Sequence, residues 1–201
     1  MRNITKIEKG KTYHIYNRGI NGENIFKEDR NYFYFLKRWQ DIVAPVTDTY
    51  AYCLLRNHFH FLLRIKQTDV VTVDPDTGKE KILDPTKQFA NFFNSYAQSI
   101  NKSYQRTGSL FEHPFRRIEV QSDAYFTRLI AYIHFNPQKH GFTDNYKLYP
   151  YSSYQSHLDT RPTQLNRKEV MEWFGSKNTF VDFHDSYRQF NDLNNLIYEA
   201  D

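Results

Sequence analysis

Two histidines stand two residues apart in the run Arg56-Asn57-His58-Phe59-His60-Phe61-Leu62-Leu63. In a β-strand, positions i and i+2 point to the same side. His58 and His60 would then project from one face while Phe59 and Phe61 take the other. Two convergent imidazoles on a sheet supply two ligands of a metal site. A second pair stands in Ala131-Tyr132-Ile133-His134-Phe135-Asn136-Pro137. On a helix, Tyr132 and Asn136 are i and i+4, one turn apart on one face. The residue before a proline is pushed out of the α region, so the helix is expected to end at Asn136. There the negative end of its dipole favours a cation. An amide oxygen as third ligand and a phenol as nucleophile would meet the histidines across the sheet.

The elements that must position these residues can be read from periodicity. Thr12 to Arg18 is β-branched and aromatic and runs into a glycine-containing loop, so it reads as a strand. His14 and Tyr16 share one of its faces, and Tyr13 and Ile15 the other. Asp29 is expected to cap a helix to about Ile42, with Tyr32, Phe35, Leu36 and Trp39 as its buried stripe. Thr49–Leu55 and His58–Ile65 read as antiparallel strands joined by the Arg56-Asn57 turn. Lys66 to Asp84 is polar and reads as a protruding hairpin or loop. Pro85 opens a helix to about Tyr104 that buries Phe89, Phe92, Phe93, Tyr96 and Ile100. Pro114 to Val120 alternates like a strand, with Arg116 and Arg117 facing opposite ways. Ser122 or Asp123 caps the helix that carries Tyr132. Beyond it come a polar-aromatic loop, Tyr146–Ser156, a helix Arg167–Phe174 started by Asn166 and stopped by Gly175, and a last helix from Thr179 towards Leu196.

Composition narrows the function classes. The 201 residues suit one domain with an appendage. No apolar run approaches the roughly 18 residues a membrane span needs, and the first residues lack the apolar core of a secretion signal. One cysteine, Cys53, excludes an intrachain disulfide framework and fits a reducing compartment. The expectation is a cytoplasmic protein with no membrane partner. The chain carries 27 Lys+Arg against 23 Asp+Glu and is 17% aromatic. Cationic grooves lined with aromatic rings bind single-stranded nucleic acid, although most of these rings must fill a core.

Taken singly, none of these features decides. A lone His-x-His in a strand more often serves structure, and Tyr132 is one of sixteen tyrosines. Tyr125, seven residues earlier, is the rival nucleophile, set aside because it lacks the asparagine partner. His134 faces away from Tyr132 and reads as structural. His14 reads equally as a site residue or a surface one.

The pieces together resemble a family. The blocks are Tyr13-His14-Ile15-Tyr16-Asn17-Arg18-Gly19, the His58-Phe59-His60 run, Gly108-Ser109-Leu110-Phe111 with Phe115-Arg116-Arg117, Tyr132 to Pro137 through His140-Gly141, and Tyr151-Ser152-Ser153-Tyr154. In this order, over roughly residues 10–155, they resemble the single-tyrosine HUH transposases, which include the REP-associated tyrosine transposases. The resemblance implies an α+β, ferredoxin-like antiparallel sheet with helices on one face, forming an HUH domain over residues 1–155. Residues 156–201 would be a C-terminal helical extension of no assigned role. It also implies cutting and rejoining of hairpin-marked single-stranded DNA through a 5′-phosphotyrosine. His58, His60 and Asn136 would hold the metal, and Tyr132 would be the nucleophile. The family uses Mg2+ or Mn2+, whereas two imidazoles by themselves favour zinc or another late transition metal. Family members occur as monomers and as dimers, so a homodimer is one expectation. A DNA partner would make the protein nucleoid-associated. Arg56 departs from the family, which often has proline there. It joins Arg116, Arg117, Arg128 and Lys139 as an expected DNA contact.

The chemistry is consistent with these roles. A phosphodiester repels nucleophiles by its charge, and a divalent cation on its non-bridging oxygens offsets that charge and orients the group. A phosphotyrosine ester conserves the broken bond, so rejoining needs no ATP. The alternatives are a domesticated protein that binds nucleic-acid hairpins without cutting, and a metal-dependent hydrolase that uses water.

Overall fold

The computed structural model describes residues 5–74 and 76–187. Strand β1 (Thr12–Arg18) is followed by helix α1 (Asp29–Ile42), the hairpin of β2 (Thr47–Leu55) and β3 (His58–Ile65), and a small ribbon of β4 (Val71–Val73) and β5 (Glu80–Ile82). Then come α2 (Pro85–Ser103), β6 (Arg116–Glu119), α3 (Asp123–Lys139), α4 (Tyr154–Leu158), α5 (Arg167–Phe174) and α6 (Lys177–Tyr187). The main sheet has the order β2-β3-β1-β6 with every pair antiparallel. With α1 and α2 as its crossovers, that is the ferredoxin-like β-α-β-β-α-β arrangement, and the α+β expectation holds. Among the described residues no helix is long and apolar enough to cross a membrane.

The sheet is covered on both faces, not one. Tyr13, Ile15, Leu54, Phe59, Phe61 and Leu63 bury against Phe35 and Trp39 of α1 and Phe89, Phe92 and Tyr96 of α2. Trp39 stacks on Phe61 with ring centroids 3.7 Å apart. On the opposite face Ala51, Cys53, Leu55 and Leu62 meet Phe126, Leu129 and Ile133 of α3, and Val170, Phe174 and Phe180 of α5 and α6 complete that cluster. The helical extension expected from residue 156 therefore packs, through residue 187, into this second core. Residues 188–201, which include the expected end at Leu196, lie outside the described residues.

Several local expectations change. Glu28, not Asp29, caps α1: its side chain accepts from the Asn31 backbone while the Asn31 side chain accepts from the Glu28 backbone, a reciprocal box. Tyr146–Ser156 is not a loop throughout, since Tyr146–Leu148 forms a 3-10 turn and α4 begins at Tyr154. Most consequential is Pro137, which lies inside α3 and does not end it. Proline removes only its own N–H, and so near the end it costs a single helical bond. The Asn136 carbonyl still accepts from the His140 N–H at 3.0 Å, and the Pro137 carbonyl from the Phe142 N–H at 2.8 Å. Asn136 is thus held within the last helical turns and is not the terminal residue.

Candidate active site

The strand register brings the first half of the site together. Across β2, β3 and β1, Cys53 lies opposite His60 and His60 opposite Tyr16, while Arg18 lies opposite His58 and His14 opposite Leu62. Directly opposed residues share a face, so His14, Tyr16, His58 and His60 all project towards α3. The turn before His58 is tightly held. The Arg56 carbonyl accepts from the Ile25 and Phe26 N–H groups, both at 3.0 Å, and the Asn57 carbonyl from the Gly19 N–H at 2.8 Å. A Cβ on Gly19 would run into the Glu23 carbonyl, so glycine is needed where β1 meets this turn.

Hydrogen bonds set the ring orientations. His58 Nδ1 lies 2.8 Å from Asn57 Oδ1. An amide oxygen only accepts, so the proton sits on Nδ1 and the lone pair of His58 on Nε2. His60 Nδ1 lies 3.0 Å from His14 Nε2, in full burial. His14 stacks on Tyr16 at 4.8 Å and on His60 at 5.2 Å.

Helix α3 supplies the second half. Tyr132, Asn136 and His140 are spaced i, i+4, i+8 and form one row. The Tyr132 ring stands edge-on to His60 at 5.9 Å and to His14 at 6.4 Å. The His140 ring lies 5.0 Å from that of His58. Asn136 lies between Tyr132 and His140 in that row. It is fully buried, and neither its amide oxygen nor its amide nitrogen has a hydrogen-bond partner among the described residues. A buried amide left in that state costs about 1–3 kcal/mol, a cost that a bound ligand would offset. The Lys139 ammonium lies over the Tyr132 ring, 5.1 Å from its centroid.

With this geometry in view, the chain can be set beside known proteins. No protein-family model matches it. A Haemophilus influenzae protein described as a putative REP-associated tyrosine transposase is 28% identical over 116 residues, which cover 57% of this chain. The match spans 61% of that relative's length. The solved structure of a REP-associated tyrosine transposase bound to a REP hairpin superposes with a TM-score of 0.58 at 14% identity, over 79% of this chain and 85% of that one. The chain resembles the REP-associated tyrosine transposases in sequence and in fold.

Of the four residues expected to do the chemistry, His58 and His60 adjoin on β3, the Tyr132 ring stands beside His60, and Asn136 lies one turn along the same face of α3. The Tyr125 hydroxyl is buried without a hydrogen-bond partner among the described residues, and burial, with Tyr16 adding to it, raises its pKa. Among the described residues no group of three or more His, Cys, Asp or Glu side chains is arranged to hold a metal ion. The residue expected as third ligand, Asn136, is of another type, an amide. Two imidazoles and an otherwise unbonded amide are a donor set that fits a divalent cation.

The expected DNA contacts separate. Arg56 is exposed on the turn ahead of His58, Arg128 is exposed one helical turn before Tyr132, and Lys139 is exposed beside it. Arg116 lies opposite Tyr16 and so shares the site's face. Arg117 lies opposite Ile15, on the far face, with its guanidinium 4.7 Å over the Phe115 ring. Burial lowers its pKa, and its Nε is buried without a hydrogen-bond partner among the described residues. The fold does not bring Arg117 to the site.

Two residues gain a place that the sequence reading did not give them. His14, weighed equally as a surface residue, is fully buried in the site. His140, named in the sequence only as part of a family block, lies beside His58. The pairing register reveals the first, and a helix carried through Pro137 reveals the second.

Proposed function

We propose that the protein binds hairpin-marked single-stranded DNA and cleaves and rejoins it through Tyr132, with Mg2+ or Mn2+ held by His58, His60 and Asn136. The observation that supports this reading is the Tyr132 ring beside His60, with the unbonded Asn136 amide one turn along the same face of α3 and His58 oriented by Asn57. The REP hairpin bound in the solved relative supports the choice of DNA structure. The metal would supply charge neutralisation and alignment of the phosphate.

The rest falls to the chain itself. The Tyr132 hydroxyl loses its proton and its oxygen attacks phosphorus. The bond to the 3′-oxygen breaks, and that oxygen leaves with a proton as a free 3′-hydroxyl. A 5′-phosphotyrosine remains, open to attack by another 3′-hydroxyl. Lys139 places positive charge beside the ring on which negative charge develops. Tyr132 is only 3% exposed, so the strand enters along the rim formed by the exposed Lys139 and His140.

The test is a denaturing gel of protein incubated with end-labelled, hairpin-bearing single-stranded DNA and Mn2+. A covalent protein–DNA band that needs metal and is missing from Tyr132→Phe is expected. Cleavage with no covalent band would instead favour a water nucleophile, and hairpin binding with no cleavage would favour a non-cutting DNA-binding protein.

A further inference from the structure

His14 lies on β1 and is fully buried. It contacts both halves of the candidate site: its Nε2 is 3.0 Å from His60 Nδ1, and its ring stands edge-on to Tyr132. We propose that His14 is a positioning residue that accepts the Nδ1 proton of His60 and so turns the lone pair of His60 Nε2 towards the metal. This deepens the function proposed above and rests on the metal site in it.

Two neutral imidazoles joined through one nitrogen each share a single proton on that line, so one ring donates and the other accepts. If His60 is a ligand, its coordinating nitrogen must hold a lone pair and its proton must lie on the other nitrogen. The nitrogen facing His14 is Nδ1, which leaves Nε2 to coordinate. His60 Nδ1–H then donates to His14 Nε2, and the His14 proton is placed on Nδ1. His58 follows the same design, its Nδ1–H donating to Asn57 Oδ1. Each strand histidine therefore has its own acceptor: a turn amide for one and a buried imidazole for the other. Such outer partners fix the tautomer and the ring plane, and losing one typically weakens metal binding about 10–100-fold. Tyr16, stacked against both His14 and His60, limits the tilt of the pair.

Packing and hydrogen bonding predict opposite rankings of two variants. His14→Phe keeps a flat ring for the stack but cannot accept a proton. His14→Gln loses the ring but keeps an acceptor oxygen. The expected result, by titration calorimetry with Mn2+ on the full chain without DNA, is a loss of about 10–100-fold for His14→Phe and recovery to within a few-fold of wild type for His14→Gln. The reverse ranking, or equal wild-type affinities, would overturn the inference. A measurement on the unaltered protein guards against misfolded variants: imidazole 15N spectra should place the His60 proton on Nδ1, and a proton on Nε2 would overturn it. A wild-type protein that binds no Mn2+ would overturn the metal site itself and this inference with it. Mn2+ binding by wild type with unchanged affinity in His14→Phe overturns only the role of His14.

Discussion

Helix α3 separates two histidine clusters that look alike in composition and differ in kind. Towards the sheet it faces His14, His58 and His60. On its other side its own His134 meets His157 of α4 and His184 of α6. In the second cluster His134 and His184 are bonded to protein partners, while neither ring nitrogen of the buried His157 has a hydrogen-bond partner among the described residues. His134 Nδ1 lies 2.9 Å from His184 Nε2, His134 Nε2 lies 2.7 Å from Ser153 Oγ, and His184 Nδ1 lies 2.7 Å from the Phe180 carbonyl. All three rings are buried, and burial depresses their pKa values, to about 4 for His184 and about 3 for His157. These histidines join α6 to the back of the tyrosine helix. The sheet-side cluster shares its pocket with a phenol and with an amide that nothing among the described residues satisfies. A count of histidines therefore does not distinguish the two; the phenol and the unbonded amide beside the sheet-side histidines do.

The contrast is sharpest at Asn136. Asn136→Leu removes an amide that the metal-free protein leaves unbonded. It should leave thermal stability unchanged or raise it by about 1–3 kcal/mol. The same variant should lose covalent DNA cleavage to background, so loss of stability together with activity would place Asn136 with the structural cluster. His184→Ala is the mirror image. It removes a bonded, buried ring and should cost about 2–4 kcal/mol in urea unfolding, while Mn2+ affinity stays within a few-fold of wild type.

Acid should also act on the second cluster. The folded-state values of His157 and His184 lie below the ordinary histidine value of 6.5. Between those values and 6.5 the unfolded chain binds more protons than the folded one. Their stabilisation is therefore complete above pH 6.5 and declines as pH falls towards 4, by up to about 1.4 kcal/mol per pH unit for each ring. Urea midpoints measured from pH 7.5 to 4.5 would show the decline, and a flat profile would mean that these rings are not buried as neutral groups. The smallest effect separates Arg116 from Arg117. Arg116→Ala should lower the salt dependence of hairpin binding by about one counterion, with Arg117→Ala unchanged. Equal slopes for the two variants would remove the facial distinction.

Much of this was legible in the sequence because it follows from period and register. The bounds Thr12–Arg18 and His58–Ile65 follow from turn residues and alternation, and the buried stripes of α1 and α2 from helical spacing. His58, His60, Tyr132 and Asn136 were nameable because each pair lies within one element. The placing of His14 depended on pairing between strands, which a single strand's pattern does not specify. The length of α3 past Asn136 is not marked in the sequence, because the residue before a proline is disfavoured in the α region and not excluded from it. The second helical layer had left a signal. Ala51, Cys53, Leu55 and Leu62 are apolar on the face that would otherwise be wet, and strands apolar on both faces are buried on both.

The central claim is that Tyr132 is the residue that becomes joined to DNA. Mass spectrometry of the protease-digested covalent complex, formed with Mn2+ on hairpin-bearing single-stranded DNA, tests it most directly. The account predicts a nucleotide-bearing peptide whose modified residue is Tyr132, linked through a 5′-phosphate. An adduct on Tyr125 or on any other side chain would contradict it.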